Sequence, residues 1–225
     1  MRQFFALLFV IFTCAGVHAQ NSDFGMWNTL SINKKINDKF SLGIDQEFRL
    51  RDNLSTVNLL YTNFGVSYKP TDFLKISLVY RFIDKHKEDL SWGIRHRVFA
   101  DFVFKVKPGD FTLSYRARFQ AEWRGAGYDA TYGNVPEIFM RNMIKAAYKE
   151  AGDFEPYAGV EVRWQIQNPR IPYHHTIDRG RFFAGVNYEI NKRNVIGTYF
   201  LVQKEVNVND RQSLYIWGLE YTINL

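Results

Sequence analysis

Arginine and carboxylate side chains recur at every second position through much of this chain, and the chemistry available to it lies in that spacing. Arg49, Arg81, Arg95, Arg97, Arg116, Arg118, Arg141 and Arg163 all follow it, with Glu122 and Glu161 among the acids. A guanidinium is a rigid fork of donors that grips a carboxylate through two parallel hydrogen bonds. Such a set can build a network of ion pairs, or it can present excess positive charge to anions. A second, more compact candidate is Tyr173, His174, His175 and Asp178. Adjacent histidines with a nearby aspartate are weak candidates for metal ligation or an acid–base pair. A solvated loop with incidental histidines is the simpler reading of those residues. The sequence contains no HExxH, no nucleophile elbow, no phosphate loop and no cysteine cluster. The glycines of 124–137 lack the strand-to-helix context of a phosphate cradle. No cofactor is expected, and no enzymatic activity.

A spacing of two puts side chains on one face of a β-strand. In 40–50 the apolar positions are Phe40, Leu42, Ile44, Phe48 and Leu50, with Gln46 the exception. Segments 74–82, 111–123 and 215–225 alternate in the same way. The predicted strands are 24–33, 39–51, 56–69, 73–84, 91–106, 111–123, 138–149, 154–166, 178–190, 195–206 and 212–225. Segment 138–149 (IFMRNMIKAAYK) also admits a helix. These runs are longer than the usual soluble strand of about 5–6 residues. They match the roughly 9–11 residues that a tilted strand needs to cross a bilayer.

Connections sort by length. Short turns follow the odd-numbered segments, such as KPGD at 107–110 and NKRN at 191–194. Longer loops follow several even-numbered ones, including 124–137 and 167–177. Aromatic residues sort as well: Phe82, Trp92, Trp123, Trp164 and Trp217 fall at the long-loop ends. Phe40, Tyr68, Phe73, Phe104, Phe111, Tyr148, Tyr188 and Tyr221 fall at the short-turn ends. Short periplasmic turns, longer extracellular loops and two aromatic girdles characterise outer-membrane barrels. The expected fold is therefore an all-β, antiparallel up-and-down transmembrane barrel of about 10–12 strands. Eleven segments are countable, yet single-chain bacterial barrels normally have an even number. Either 24–33 is not a full barrel strand, leaving ten, or a strand is merged, giving twelve; twelve is slightly favoured.

The chain has 225 residues and an aromatic share of 17%, which excludes a disordered polymer. Its longest apolar run, Phe4 to Phe12, is too short for a membrane-spanning helix. That run sits in residues 1–19, which read as a cleaved signal peptide: Arg2, the apolar 4–17, then Val17-His18-Ala19. Residues 20–225 form the single expected domain, without cysteine once Cys14 is removed. A lipoprotein site at Cys14 is disfavoured by the bulk of Phe12. The net charge of +6 is dispersed at period 2, which argues against nucleic-acid binding.

The chain resembles a family of uncharacterised outer-membrane barrels from the Bacteroidota, known as domain of unknown function 2490. The likeness rests on Trp27, the strand end Glu47-Phe48-Arg49-Leu50-Arg51, Gly65-Val66-Ser67-Tyr68, and Arg95-His96-Arg97. It continues through Arg116-x-Arg118…Glu122, Pro156-Tyr157…Glu161, Tyr199…Gln203 and Gly218-Leu219-Glu220-Tyr221. The resemblance implies a barrel in the bacterial outer membrane and carries no established activity.

If the apolar face meets lipid, the charges line the lumen. An Arg or Lys facing mid-bilayer costs about 2–4 kcal/mol, so the alternation has one low-energy orientation. Arg81, Arg95, Arg97, Arg116, Arg118, Arg141 and Arg163 then form a basic belt on successive strands. Arg97, Arg116 and Arg118 are expected on adjoining strands with their heads near Glu122 and neighbouring carboxylates. His96 points at lipid, at interfacial depth. The belt is expected to be a structural network. A narrow anion-preferring channel, or a protease or lipid-modifying enzyme with a rim site in 167–178, are the alternatives. Expected partners are outer-membrane lipid and the machinery that inserts barrels, with the protein monomeric.

Overall fold

Alternating branched and aromatic residues give each segment one apolar edge, and strands with one apolar edge satisfy it by pairing side by side. A computed structural model of the protein describes residues 22–87, 89, 91–128, 135–149, 152–169, 176–208 and 211–225. It contains β1 (Ser22–Lys35), β2 (Phe40–Arg51), β3 (Thr56–Tyr68), β4 (Leu74–His86), β5 (Trp92–Val106) and β6 (Phe111–Arg124). These are followed by β7 (Glu137–Tyr148), β8 (Phe154–Gln167), β9 (Thr176–Asn191), β10 (Asn194–Glu205) and β11 (Ser213–Asn224). Every predicted segment is a strand, and 138–149 is β7 rather than a helix. Residues 1–21, which include the predicted signal peptide, lie outside the described residues.

Each strand pairs with the next, and β1 closes the barrel against β11. That last pair is parallel, running from Ser22↔Ser213 to Asn33↔Asn224, and every other pair is antiparallel. Here the expectation of ten or twelve strands is corrected to eleven. An even number is required only when every neighbour is antiparallel; one parallel seam closes an odd number. Segment 24–33 is thus a full barrel strand that enters from the same end as β11.

The outward face is apolar at mid-height, with Leu78 61%, Ile144 58% and Phe182 61% exposed. Exposed apolar area on this scale marks a surface made for a partner other than water. Near the short turns it carries ring pairs, Phe40–Tyr68 at 4.8 Å, Phe111–Tyr148 at 5.3 Å and Phe154–Tyr188 at 4.8 Å between centroids. Trp92, Trp164 and Trp217 are exposed toward the long loops. His96 is on this outer face: its Nδ1 is 2.7 Å from the Tyr80 hydroxyl, and its ring is beside that of Phe82.

The inward face holds more than charge. Trp27, Leu201 and Ile216 form a buried cluster with Phe183, Tyr199 and Leu214 on β1, β9, β10 and β11. Tyr199 lies flat over Gly218, and Phe183 over Gly159, where any Cβ would collide with the ring. These glycines let rings lie against the wall, and the apolar contacts they permit stabilise this side of the lumen.

Candidate functional site

Backbone pairing sets the starting arrangement of the charges. Arg118 on β6, Arg141 on β7, Arg163 on β8 and Arg179 on β9 are direct cross-strand neighbours, in one unbroken row. Like charges directly opposite one another are destabilising. The row is flanked by Asp101 opposite Arg118 and Glu205 opposite Arg179. Arg118 grips Asp101 with both arms of its fork, at 2.6 and 2.7 Å. Arg179 donates to Glu205 at 2.6 Å. Arg141 leans diagonally to Glu161, with Nε at 3.0 Å. Arg163 is left between two arginines, and its partner is supplied by a local irregularity. The register shifts at Arg163/Trp164, so that Arg163 faces Arg179 while Trp164 faces Ile177. Asp178 is the extra residue of this β-bulge. It turns inward, where Arg163 holds it bidentately at 2.8 and 2.7 Å.

Asp178, a weak candidate for a rim site with His174 and His175, has Arg163 as its partner. The carboxylate is 2% exposed and belongs to the ion-pair network. Strict alternation from Arg179 and Arg181 points it at lipid, and only the bulge reverses it. His174 and His175 lie outside the described residues.

Glu161 is the most heavily shared acid. It accepts from Arg116 at 2.6 Å, from Arg141 and from Arg181 at 3.1 Å. Glu122 accepts from Arg95 at 3.0 Å and from Arg97 Nε at 2.7 Å. Arg97, Arg116 and Arg118 divide among Glu122 and neighbouring carboxylates: Arg97 takes Glu122, Arg116 takes Glu161 and Arg118 takes Asp101. The reason is register. Arg116 lies in one lateral row with Met143 and Glu161, whereas Glu122 is six residues further along the strand.

On the other side of the barrel the cations rest on rings. Arg49 is 3.5 Å from the centroid of Trp27 and Arg81 is 3.5 Å from Tyr61; in the carboxylate row, Arg118 and Arg163 also lie over rings, 3.9 Å from Phe99 and 4.4 Å from Phe139. Stacking of this kind stabilises a desolvated cation. Glu47 pairs with Arg49 and accepts from Tyr61 and Thr29. Arg81 donates Nε to Asn63 at 2.7 Å, and no ion pair joins it to a carboxylate among the described residues. Trp27, Tyr61 and Phe99 were not legible as site residues. Each is an aromatic at an inward position, where alternation marks only polar types.

Two cavities of the lumen flank the arginine belt. The larger, about 930 Å³, lies toward the long loops, with Arg51, Arg95, Arg124, Glu137 and Arg179 in its wall. The smaller, about 170 Å³, lies toward the short turns among Asp45, Asn63, Lys75 and Asp101. They share no lining residue. Between them lie Tyr61, Arg81 and Glu161, with Phe99 and Arg118 in the adjoining wall of the smaller cavity, all less than 10% exposed. At the mouth of the larger cavity, Tyr128 accepts a hydrogen bond from Arg95 at 2.7 Å, and Lys87 donates to Gly127 O at 2.8 Å. Across the rim, the Asp23 carboxylate accepts from the backbone N–H of Asp52 and Asn53, at 3.0 and 2.9 Å. It thereby holds a turn in which Asp52, Asn53 and Leu54 all have positive φ.

An apolar exterior around a charged, ion-paired interior defines the class of transmembrane β-barrels. Within that class the chain belongs to the family described as "Protein of unknown function (DUF2490)", which matches residues 24–213. It is similar in fold to a solved structure described as a bacterial polysaccharide outer membrane secretin. The TM-score is 0.53 at 16% identity, covering 85% of this chain and 67% of that one. It is also similar to the beta domain of the Bordetella autotransporter BrkA, with TM-score 0.50 at 11% identity and 82% of each chain covered. Among curated proteins no match is found.

Proposed function

We propose that this protein is a monomeric, non-catalytic β-barrel of the bacterial outer membrane whose arginine belt is a structural network closing the lumen at mid-depth. The observation that carries this reading is the separation of the two cavities by a buried layer of ion pairs and rings. Small barrels fill with side chains in this way. Fold similarity to outer-membrane barrels supports the location. In that location the long loops face outside, outer-membrane lipid covers the apolar face, and the barrel-insertion machinery is the assembly partner. The protein binds no nucleic acid in this reading.

A narrow anion-preferring channel is the second reading, favoured by one observation: three arginines share the single carboxylate of Glu161. Planar bilayers separate the two. A closed network leaves the purified wild type electrically silent. A selectivity belt gives anion-preferring conductance that Arg116→Glu weakens or reverses. Cell fractionation is the check on location, and recovery in the soluble periplasm overturns the outer-membrane reading.

A further inference from the structure

The cavity toward the long loops has more basic than acidic side chains in its described wall. Nine basic and six acidic side chains line it. Eight of the nine are arginines, the residue suited to planar, two-point recognition of oxyanions. Glu47 and Glu161 reach two of them, Arg49 and Arg181, from the belt below. They do not cancel the excess, because Glu161 is already shared with Arg116 and Arg141. Among the described residues, Arg124 and Arg179 each leave a buried Nε–H without an acceptor. Arg124 and Arg179 are nonetheless held in place, through Nη2 to Glu137 at 2.9 Å and to Glu205 at 2.6 Å. These Nε–H groups are shut off from the cavity, so it is the arginine excess in the wall, with forks that bind oxyanions at two points, that points to an anion from outside the chain.

We propose that this cavity is a binding site for small solutes carrying two or more phosphoryl groups. A phosphoryl group supplies three acceptor oxygens and close to two charges, which answers the excess of positive charge in the wall. The volume of about 930 Å³ is ample for a bisphosphorylated monosaccharide. The ligand is a solute rather than a lipid headgroup, because the cavity opens along the barrel axis and the apolar face that meets lipid is on the other side of the wall. The site needs only the barrel and this cavity, so it stands whether or not the belt conducts.

The test is titration calorimetry of the full-length protein, folded in detergent micelles, with pyrophosphate and with fructose 1,6-bisphosphate. Both bind the wild type, and binding weakens as salt is raised. Two variants locate the site without touching a buried pair. Arg51→Gln removes a cation whose acid contact among the described residues is the exposed Asp52, at 3.4 Å. Gln212→Glu adds a negative charge at an exposed position of the cavity wall. Each weakens binding by about five- to tenfold, the effect of one lost or opposed charged hydrogen bond. Circular dichroism confirms that both variants remain folded. Absence of binding to the folded wild type overturns the proposal, as does binding that neither variant changes. Citrate binding more tightly than either phosphate overturns the phosphoryl assignment. Binding seen only with a phosphorylated glycolipid in nanodiscs overturns the solute assignment.

Discussion

The two arcs of the arginine belt bury positive charge by different means. From β6 to β9 the guanidiniums are bound to carboxylates: Arg118 to Asp101, Arg141 and Arg116 to Glu161, Arg163 to Asp178. From β1 to β4 they lie on rings, Arg49 on Trp27 and Arg81 on Tyr61; Arg49 also pairs with Glu47, so Arg81 is the cation here whose charge rests on a ring and neutral partners. A ring face attracts a cation without carrying a charge of its own, so removing the cation leaves nothing ionised behind. A carboxylate is a demanding partner, because each half of a broken pair stays charged in a confined site. The two arcs should therefore respond differently to loss of one member.

Glu161→Gln gives the largest effect. It leaves Arg116, Arg141 and Arg181 converging on a neutral amide, and breaking a buried pair costs about 3–5 kcal/mol. The expected result is loss of resistance to heat in detergent and an earlier urea midpoint. Asp178→Asn isolates Arg163 between Arg141 and Arg179 and acts in the same direction. Replacing both Arg163 and Asp178 by leucine recovers most of that loss, since no charge is then stranded. An unchanged midpoint in Glu161→Gln would falsify the view that carboxylates hold this arc.

The comparison sharpens with one matched pair. Arg118→Leu strands Asp101 and costs about 3–5 kcal/mol, while Arg81→Leu strands no carboxylate and costs about 1–2 kcal/mol from lost ring contact and one hydrogen bond. Urea unfolding of the two side by side measures the difference. Equal losses would mean that ring and carboxylate partners are equivalent here and that the distinction between the arcs is empty.

What could be read from the sequence follows the same division. Period-2 alternation locates all eleven strands and places Arg49, Arg81, Arg95, Arg97, Arg116, Arg118, Arg141 and Arg163 on one face, because lipid penalises the reverse orientation. It does not give partners. Register decides that Arg116 meets Glu161 and not Glu122, and register is a property of pairs of strands. It misplaces Asp178, because a bulge is one residue of broken periodicity. It overlooks Trp27, Tyr61 and Phe99, because an inward aromatic looks like an ordinary interruption of a polar face. The parity argument fails at β1 for a related reason: sequence carries the direction of each strand but not the identity of the pair that closes the barrel.

The smallest effect belongs to the exposed ion pairs of the short turns, which lie outside the belt altogether. Lys35 donates to Asp38 at 2.7 Å and Lys69 to Asp72 at 2.6 Å, each pair spanning one tight turn. The hydrogen bond from the lysine, and then its charge, holds each aspartate below the ordinary carboxylate range. A lowered folded value means that the contribution is present above the unfolded pKa and is lost as pH falls through the folded one. Asp38→Asn and Asp72→Asn should thus shift the urea midpoint slightly at pH 7, and the shift should vanish in acid once both carboxyls are protonated. Both aspartates are fully exposed, so water screens the pairs and the shift stays well below that of Arg81→Leu. A loss at pH 7 equal to that of Glu161→Gln would place the stability of the barrel in its turns rather than in its arginine belt, and neither arc would then control it.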